Sequence, residues 1–196
     1  MCANKQLGFS LSELVIALAV LAILVSLAAP SFNDSMQNAR LSSTYNNMIG
    51  ALQLARSESV KRNLPVAVCA RASDSNCGTD WNNGALVFVD DGATSSALDA
   101  DEVVLRILPQ LEGGATVSAL GSATSSGTFI QRSNIRFLSS GTSSWRGGGA
   151  IQFCDARGTE NMRAMILNLG GDIRRARADE NGNIVTQWGQ TLACGV

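Results

Sequence analysis

The chain has 196 residues, of which 45% are hydrophobic and 16% are charged, and its formal net charge is −1. A net charge this close to zero indicates no class of partner for the chain as a whole. The chain contains no histidine, which excludes a Ser-His-Asp or Cys-His catalytic arrangement. The glycine-rich segment 146–150 lacks the Lys-Ser/Thr pair of a phosphate-binding loop. The sequence therefore predicts a protein that is not an enzyme and needs no cofactor or metal.

Residues 14–29 form an almost unbroken apolar run, and the acidic Glu13 stands at its leading edge. The segment 9–30, taken as a helix, is about 32 Å long, which matches the hydrocarbon core of a bilayer. Lys5 lies in the short polar segment 1–8, and a cationic amino terminus predicts that this end stays inside the cell. A carboxylate near the centre of a membrane helix costs about 2.5–3.5 kcal/mol, so a functional role is expected for Glu13.

A helical pattern continues through residues 31–63. Apolar and small residues recur at alternating spacings of four and three, the spacing of one face of an amphipathic helix. These residues are Leu41, Tyr45, Met48, Leu52, Ala55 and Ser59. The opposite face carries Arg40, Asn46, Gln53 and Arg56. Pro65 disfavours helical geometry in the residue before it, so the helix should end near Asn63. We expect one long helix, bent at Pro30, whose second half packs under a sheet.

Beyond residue 64 the apolar residues no longer recur at helical spacing but at every second position, which is the period of strands. Eight segments show it: 65–70, 84–90, 102–108, 114–120, 134–138, 150–154, 163–169 and 172–178. Short turns between consecutive strands predict antiparallel sheets. The Ser/Gly/Thr-rich segment 121–128 is expected to be a flexible loop. The fold class is therefore α+β.

Four of the five cysteines follow the apolar run, and an even number there indicates two disulfides in an oxidising compartment. Four cysteines allow three pairings. We favour Cys69–Cys77, which closes a short loop, and Cys154–Cys194, which ties down the carboxyl-terminal segment. A zinc site is the alternative. It is disfavoured because no two cysteines have the short spacing of zinc ligands and histidine is absent.

The charges are unevenly distributed along the chain. Residues 71–116 contain two arginines and eight acidic residues, a net charge of −6, whereas residues 129–177 contain eight arginines and three acidic residues, a net charge of +5. The favoured interpretation is two solvated surfaces, and the alternative is an anion-binding face in the second segment. The acidic run 90–102 could bind calcium, but it lacks the ligand order of an EF-hand and is better read as a hairpin loop.

The amino-terminal segment has two interpretations. A secretory signal would use the small residues of 26–30 as its cleavage site, but "GFSLSE" (8–13) interrupts the apolar region of such a signal. The pair Gly8-Phe9, followed by Glu13 and the apolar run, instead resembles the class III signal of type IV pilins and type II secretion pseudopilins. The resemblance implies that a prepilin peptidase cleaves after Gly8 and methylates Phe9. It also implies that the α-amino group of Phe9 in a neighbouring subunit neutralises Glu13 during assembly.

Three further blocks resemble the GspH/FimT family of minor pilins and pseudopilins. They are "ALQLARSESVKRNLPVAVCA" (51–70), "CGTDWNNGALVFVDD" (77–91) and "DADEVVLRI" (99–107), and the family's late pattern is matched by 137–141 followed by "IQFCDARG" (151–158). The resemblance implies the pilin fold, with one long amino-terminal helix on two antiparallel sheets. It gives four segments: a leader (1–8), a transmembrane and filament-core helix (9–30), an amphipathic half (31–63) and a periplasmic β-rich domain (64–196).

The family resemblance also implies a function. The chain would be a low-abundance subunit that initiates or caps a type IV pilus or a type II secretion pseudopilus. Its partners would be other minor and major pilins or pseudopilins, the prepilin peptidase, and the inner membrane before assembly. It would cross the inner membrane once, with the amino terminus inside and the carboxyl-terminal domain in the periplasm, and then move to the filament tip. A membrane-anchored periplasmic enzyme is the competing class, disfavoured by the missing catalytic residues.

Some FimT-like proteins bind DNA during uptake through a Gly-Arg-x-Arg element near the carboxyl terminus. The matching stretch here is Gly171-Asp172-Ile173-Arg174, in which Asp172 stands in the place of the first arginine. Arg174, Arg175 and Arg177 are the candidate DNA-binding residues, since arginines contact phosphates without reading sequence. DNA binding in natural transformation is therefore the alternative function.

Overall fold

The computed structural model describes residues 10–92, 94–122 and 129–195. Within these ranges the chain forms one long α-helix, two short 3-10 turns and twelve strands, in the order of a helix followed by sheets. The chain divides into two compact units, residues 1–39 and residues 40–196. The helix α1 (Leu11–Arg62) contributes to both units.

In the first unit, the side chains that α1 carries from Leu11 to Leu27 are exposed and predominantly apolar on all sides. A helix that is apolar all round has no polar face for water and is typical of a membrane or of a helical core. Within the described part of the chain, α1 is the one helix that is long and apolar enough to cross a membrane. The helix continues without interruption through position 30, and the bend at Pro30 stays a prediction.

In the second unit, the predicted apolar stripe of α1 is confirmed. All six of its residues, from Leu41 to Ser59, are buried, and Ala51 joins them. The helix ends at Arg62, one residue before the predicted end, and Asn63 takes a left-handed backbone conformation with a φ of 56°. The turn at Asn63 leads the chain through Pro65 into the first strand.

The strands form two five-stranded sheets and one two-stranded sheet, and all pairings are antiparallel, as predicted. The first sheet has the order β2-β1-β3-β4, with β7 also paired to β1 on the edge opposite β3, and the second has the order β10-β9-β8-β5-β6. The strands are β1 (Val66–Ser73), β2 (Asn76–Cys77), β3 (Ala85–Val89), β4 (Val104–Leu108), β5 (Thr116–Ser122), β6 (Phe129–Gln131), β7 (Asn134–Phe137), β8 (Gly149–Cys154), β9 (Arg163–Leu167), β10 (Ile173–Arg175), β11 (Arg177–Ala178) and β12 (Ile184–Val185).

Five elements differ from the sequence-based prediction. The strands β2, β6 and β12 were not expected, because two or three residues are too few to show an alternating pattern. The segment 172–178, predicted as one strand, divides into β10 and β11 at Ala176. Residues 121–122 belong to β5 and not to a loop, and the rest of the predicted loop, 123–128, lies outside the described residues.

Three groups of buried side chains stabilise the second unit. The largest lies between α1 and both sheets and includes Leu52, Val68 and Phe153. A second group, on the outer face of the second sheet, is covered by the carboxyl-terminal segment through Leu192 and Ile184. A third group lies on the outer face of the first sheet. The strand β8 is buried at all six positions because both of its faces are covered.

Two disulfides join the pairs that the sequence favoured. Cys69 in β1 is bonded to Cys77 in β2, eight residues later. Cys154 at the end of β8 is bonded to Cys194, forty residues later. The second bond therefore holds the carboxyl-terminal segment to the sheet that it covers.

Replacing Leu52 by Ala tests the importance of the buried stripe. Leu52 is fully buried, so Leu52→Ala should lower the free energy of unfolding by about 2–5 kcal/mol. Urea denaturation of a fragment of residues 37–196, followed by circular dichroism, measures this change. Gln53→Ala is the matched control, because the adjacent Gln53 is exposed and its removal should change the free energy by less than about 0.5 kcal/mol. Equal effects of the two substitutions would contradict the packing described here.

Removing each disulfide with paired Cys→Ser substitutions should give unequal losses of stability. The loop closed by Cys154–Cys194 is five times longer in sequence than that closed by Cys69–Cys77. From loop-closure entropy, removal of Cys154–Cys194 should lower the free energy of unfolding by about 4 kcal/mol, and removal of Cys69–Cys77 should lower it by about 2.5 kcal/mol. The same urea titration measures both values, and limited proteolysis should cleave between residues 176 and 195 only in the first variant. The opposite order of the two losses would refute this expectation.

Candidate assembly site and candidate nucleic-acid interface

Glu13 lies in the first turn of α1. Its backbone N–H donates a hydrogen bond to the side-chain oxygen of Ser10 (3.3 Å), which caps the helix. The pattern Ser-x-x-Glu is that of a capping box, a signal that the sequence contains and that the sequence-based prediction of this segment did not include. Among the described residues, no cation lies within 4.0 Å of the Glu13 carboxylate, and Gly8 and Phe9 lie outside them. The carboxylate is exposed at the start of an apolar helix, where a cation from another chain can reach it.

The candidate DNA-binding arginines lie on two sides of the second sheet. In β10, Arg175 is opposite Met165 and Arg174 is opposite Ile166. Opposite residues of an antiparallel pair lie on one face of the sheet. Met165 belongs to the core under α1, and Ile166 belongs to the core on the outer face. Arg175 therefore lies on the helix side, and Arg174 lies on the outer side, 3.8 Å from the carboxylate of Asp172.

Two more arginines lie with Arg175 on the helix side. Arg163 in β9 is opposite Phe153, a residue of the core under α1. The N–H of Ala176 donates to the carbonyl of Ala164, so the pairing continues beyond β10 and alternation places Arg177 on the side of Arg175. We call Arg163, Arg175 and Arg177 the arginine corner. Among the described residues, none of these three has a carboxylate within 4.0 Å.

Tyr45 of α1 marks the position of the arginine corner along the helix. Its ring packs edge-on against Phe153, with 5.4 Å between ring centroids. Burial raises the pKa of the Tyr45 phenol, and the positive charges of Arg175 and Arg163 oppose that rise. Both guanidinium groups therefore lie close enough to act on the phenol. The arginine corner is thus at the end of the second unit where its part of α1 begins.

Other arginines of the basic segment are neutralised by carboxylates. Arg136 forms an ion pair with Asp90 (2.5 Å), whose side chain is fully buried, and burial raises the pKa of that carboxyl. Arg157 forms an ion pair with Asp155 (2.6 Å), and its hydrogen bond lowers the pKa of the Asp155 carboxyl. With the Arg174 pair, three of the eight arginines between residues 129 and 177 are partnered. The net charge of +5 is therefore not gathered on one face.

The acidic run lies in the loop between β3 and β4, where its carboxylates accept hydrogen bonds from backbone N–H groups. Glu102 accepts from Gly92 and from Asp99, which closes the loop on itself. Asp90 accepts from Ser96. Across the described residues, no three cysteine, aspartate or glutamate side chains are grouped closely enough to hold a metal ion. The loop joins two antiparallel neighbours, β3 and β4, and is therefore a hairpin loop.

Arg56 has a different place from the one that the sequence predicted. It was assigned to the polar face of α1, but it is half-buried and its guanidinium donates to the carbonyl of Gly170 (3.0 Å). The adjacent Gly171 has a φ of 75° and lies so close to the Gly141 carbonyl that no Cβ would fit. Arg56 and Gly171 together hold the turn that precedes β10 against α1. The sequence places Gly171 beside the arginines, but it contains no signal for this contact.

Comparisons with known families find two matches. The family described as type II transport protein GspH matches residues 44–171. The prokaryotic N-terminal methylation motif matches residues 3–29. No match was found among curated proteins.

Among solved structures, two crystal structures of the type IV minor pilin FimU of Pseudomonas aeruginosa PAO1 are similar. The first has a TM-score of 0.53 and 19% identity, and the match covers 72% of this chain and 91% of that chain. The second has a TM-score of 0.50 and 20% identity, and the match covers 69% of this chain and 92% of that one. At these identities the likeness shows the fold, one helix packed on antiparallel sheets.

Proposed function

The chain belongs to the GspH family of type II transport proteins and is a GspH/FimT-like minor pilin, and we propose that it initiates or caps the assembly of a type IV pilus or type II secretion pseudopilus. Subunits of this kind are structural proteins that interact with other pilins. The observation that carries the proposal is the combination, in one chain, of an exposed and predominantly apolar helix segment, whose capped first turn contains Glu13, with a folded GspH unit.

Glu13 would guide the entry of the subunit into the filament. In a bilayer its carboxylate costs about 2.5–3.5 kcal/mol near the helix centre. The α-amino group of Phe9 in a neighbouring processed subunit supplies a positive charge that offsets this cost. The pairing therefore favours assembled over free subunits and fixes the register between neighbouring helices.

The proposed location follows from the amino-terminal segment and the disulfides. The apolar half of α1 would cross the inner membrane once, and Lys5 would keep the amino terminus inside. Residues 31–196 would then lie in the periplasm, where the disulfides Cys69–Cys77 and Cys154–Cys194 can form. From this position the subunit would move to the tip of the growing filament.

Processing is the first test of this proposal. If prepilin peptidase acts on the Gly8-Phe9 bond, the mature protein should begin at Phe9 and carry one N-methyl group. Intact-mass measurement and N-terminal sequencing of the membrane-purified protein decide this. Gly8→Val should block the cleavage. A mature protein that begins near Ala29 would instead show cleavage by signal peptidase and would overturn the assignment.

Substitution of Glu13 is the second test. Glu13→Gln should leave membrane insertion intact, because the variant removes a charge that is costly in the bilayer. Incorporation into filaments should fall at least tenfold, since the Phe9 amine of the neighbour loses its counter-ion. Immunoblots of sheared filaments and of membranes measure both quantities. Asp34→Asn is the matched control, because Asp34 is an exposed carboxylate on α1 beyond the apolar run and should assemble normally. Normal assembly of the Glu13 variant would refute the role given to this residue.

DNA binding in natural transformation is the second candidate function. The observation that favours it is the arginine corner, whose three guanidinium groups have no carboxylate partner among the described residues. Arg174 lies on the other side of the sheet and beside Asp172. Because only two or three positive charges can follow one phosphate track, binding would be weak and independent of sequence.

A titration tests this second function. Duplex DNA should bind residues 37–196 at about 50 mM salt with a dissociation constant in the range of about 10⁻⁴–10⁻⁶ M, and the slope of log K against log salt should be about −2. Arg175→Ala/Arg177→Ala should abolish this binding. Fluorescence anisotropy of labelled DNA measures it. Absence of binding, or binding that the double variant leaves unchanged, would exclude DNA as a partner of these arginines.

A further inference from the structure

A pocket of about 190 Å³ opens beside α1 in the second unit (residues 40–196). One of its walls is the part of α1 between residues 40 and 48, and the other is the segment 109–112, which follows β4. The buried side chains that line the pocket are apolar, and they are Met48, Trp81, Leu108 and Val117. An apolar cavity of about 150 Å³ accepts a benzene molecule, so this pocket has room for one large apolar side chain.

The helix wall of the pocket contains a stripe of four residues, Arg40, Ser43, Thr44 and Asn47. Their spacing of three and four places them on one face of α1. Arg40 and Ser43 are exposed, and Thr44 and Asn47 are half-buried. In the described part of the chain, none of these four side chains forms a hydrogen bond or an ion pair. Three of them are short, so the backbone of a second helix can approach this face closely.

Arg40 and Glu112 are exposed charges on the rim of the pocket. The guanidinium of Arg40 extends from α1 to Gly113, and it lies so close to that glycine that no Cβ would fit there. Arg40 therefore reaches the end of the segment that forms the other wall. Among the described residues, no carboxylate lies within 4.0 Å of the Arg40 guanidinium. A carboxylate beside the apolar side chain of a partner would complement this cation.

The residues of the pocket discriminate between three classes of occupant. A lipid acyl chain fits the apolar lining but offers no charge to Arg40. A nucleic acid needs several cations in line along its phosphates, whereas Arg40 is the one cation among the residues that line the pocket. A protein helix supplies both an apolar side chain and a carboxylate. The wall 40–48 also belongs to the same uninterrupted helix whose apolar part the proposed function places against the helices of other pilins.

We propose that the pocket receives one large apolar side chain from the amino-terminal helix of a neighbouring pilin of a different kind, with Arg40 paired to a carboxylate of that helix. This contact rests on the proposed function as a filament subunit and adds the surface through which the folded unit holds its neighbour. Because the two chains differ, one pocket accepts one neighbour and no array of copies forms. The contact is therefore compatible with a subunit of low abundance.

Filling the pocket from within tests the proposal. Ser43→Phe adds a ring at the pocket wall, which should occupy the pocket and lower incorporation into filaments about tenfold. Asn46→Phe is the matched control and should be incorporated normally, because Asn46 is exposed on α1 and does not line the pocket. Immunoblots of sheared filaments and of membranes measure the incorporation of both full-length variants. Thermal unfolding of each purified variant in detergent establishes that it is folded.

The charge on the rim is tested in the same assay. Arg40→Glu should lower incorporation about fivefold, since it places a carboxylate against the carboxylate of the partner. Arg40→Lys keeps the positive charge and should retain most of the incorporation. Equal incorporation of the two variants would contradict the pairing that we assign to Arg40.

Photo-crosslinking identifies the occupant of the pocket. Gln110, an exposed residue of the pocket wall, is replaced by p-benzoylphenylalanine in the full-length chain, and cells that assemble filaments are irradiated. Mass spectrometry of the product should find a peptide from the amino-terminal helix of a different protein that carries the N-terminal methylation motif. The yield should fall about tenfold in combination with Ser43→Phe and stay unchanged with Asn46→Phe.

Several results would overturn the proposal. They are a crosslink to lipid, to nucleic acid, to a second copy or to another part of a pilin, no crosslink at all, and a yield that Ser43→Phe leaves unchanged. If Ser43→Phe does not fold, the product formed at Gln110 decides alone. The Glu13→Gln assay is independent of this contact. If Glu13→Gln blocks incorporation and a folded Ser43→Phe does not, the role as a filament subunit stands and the pocket contact alone is rejected.

Discussion

The burial of one stripe of α1 is the constraint on which the rest of the second unit depends. Leu41, Tyr45, Met48, Leu52 and Ala55 supply one side of a core whose other side comes from both large sheets. The helix stripe and residues of both sheets lie in one buried cluster, so the helix packs against both sheets. Single sheets of this size need an apolar partner to be stable in water, and here the same helical stripe is the partner of both.

This arrangement explains how one helix can serve two purposes. Its first part is apolar on all sides and exposed, as a segment in a membrane or a helical core must be. From Leu41 onward the apolar residues narrow to one stripe, and charged residues such as Arg56 and Glu58 appear between them. The position at which the apolar pattern of α1 changes is therefore also the position at which the helix becomes buried against the sheets. Glu13 lies at the beginning of the apolar part of the helix. The arginine corner lies beside Tyr45, near the beginning of the part that packs on the sheets.

The elements with a long periodic pattern could be predicted from the sequence, and the short ones could not. The stripe of α1 repeats over five intervals, and the strands β1, β3 and β8 each have five or more residues. Patterns of this length rarely arise by chance from the amino-acid composition. The strands β2 and β12 have two residues each and exist because of the disulfide and the turn beside them. The pairing of Cys69 with Cys77 could be predicted because cysteines eight residues apart are close to each other in any compact loop. The pairing of Cys154 with Cys194 then joins the two cysteines that remain of the four that follow the apolar run.

The charged sites were harder to predict than the fold, because charge along the sequence does not report partners in space. Asp90 and Arg136 are 46 residues apart and form an ion pair in which the carboxylate is fully buried. This pair offsets one positive charge of the basic segment, and no pattern in the sequence predicts it. The alternation of Arg174 and Arg175 predicts that they face opposite sides, but which side faces the helix depends on the register against Met165. The capping of α1 by Ser10, by contrast, can be predicted from the spacing of three residues between Ser10 and Glu13.

The covering of the outer face of the second sheet has a consequence for how the protein is made. Ile166 and Met162 on that face are covered by Leu192, and Cys154 bonds to Cys194, so both the cover and its covalent attachment follow the strands of that face in the sequence. Synthesis proceeds from the amino end. The strands β5, β8 and β9 can therefore pair before their cover exists, and their apolar face and the thiol of Cys154 stay open until residues 184–194 have been synthesised. During this interval the apolar face of the nascent subunit is exposed to water and can take part in aggregation, and a chain without residues 184–194 cannot cover it.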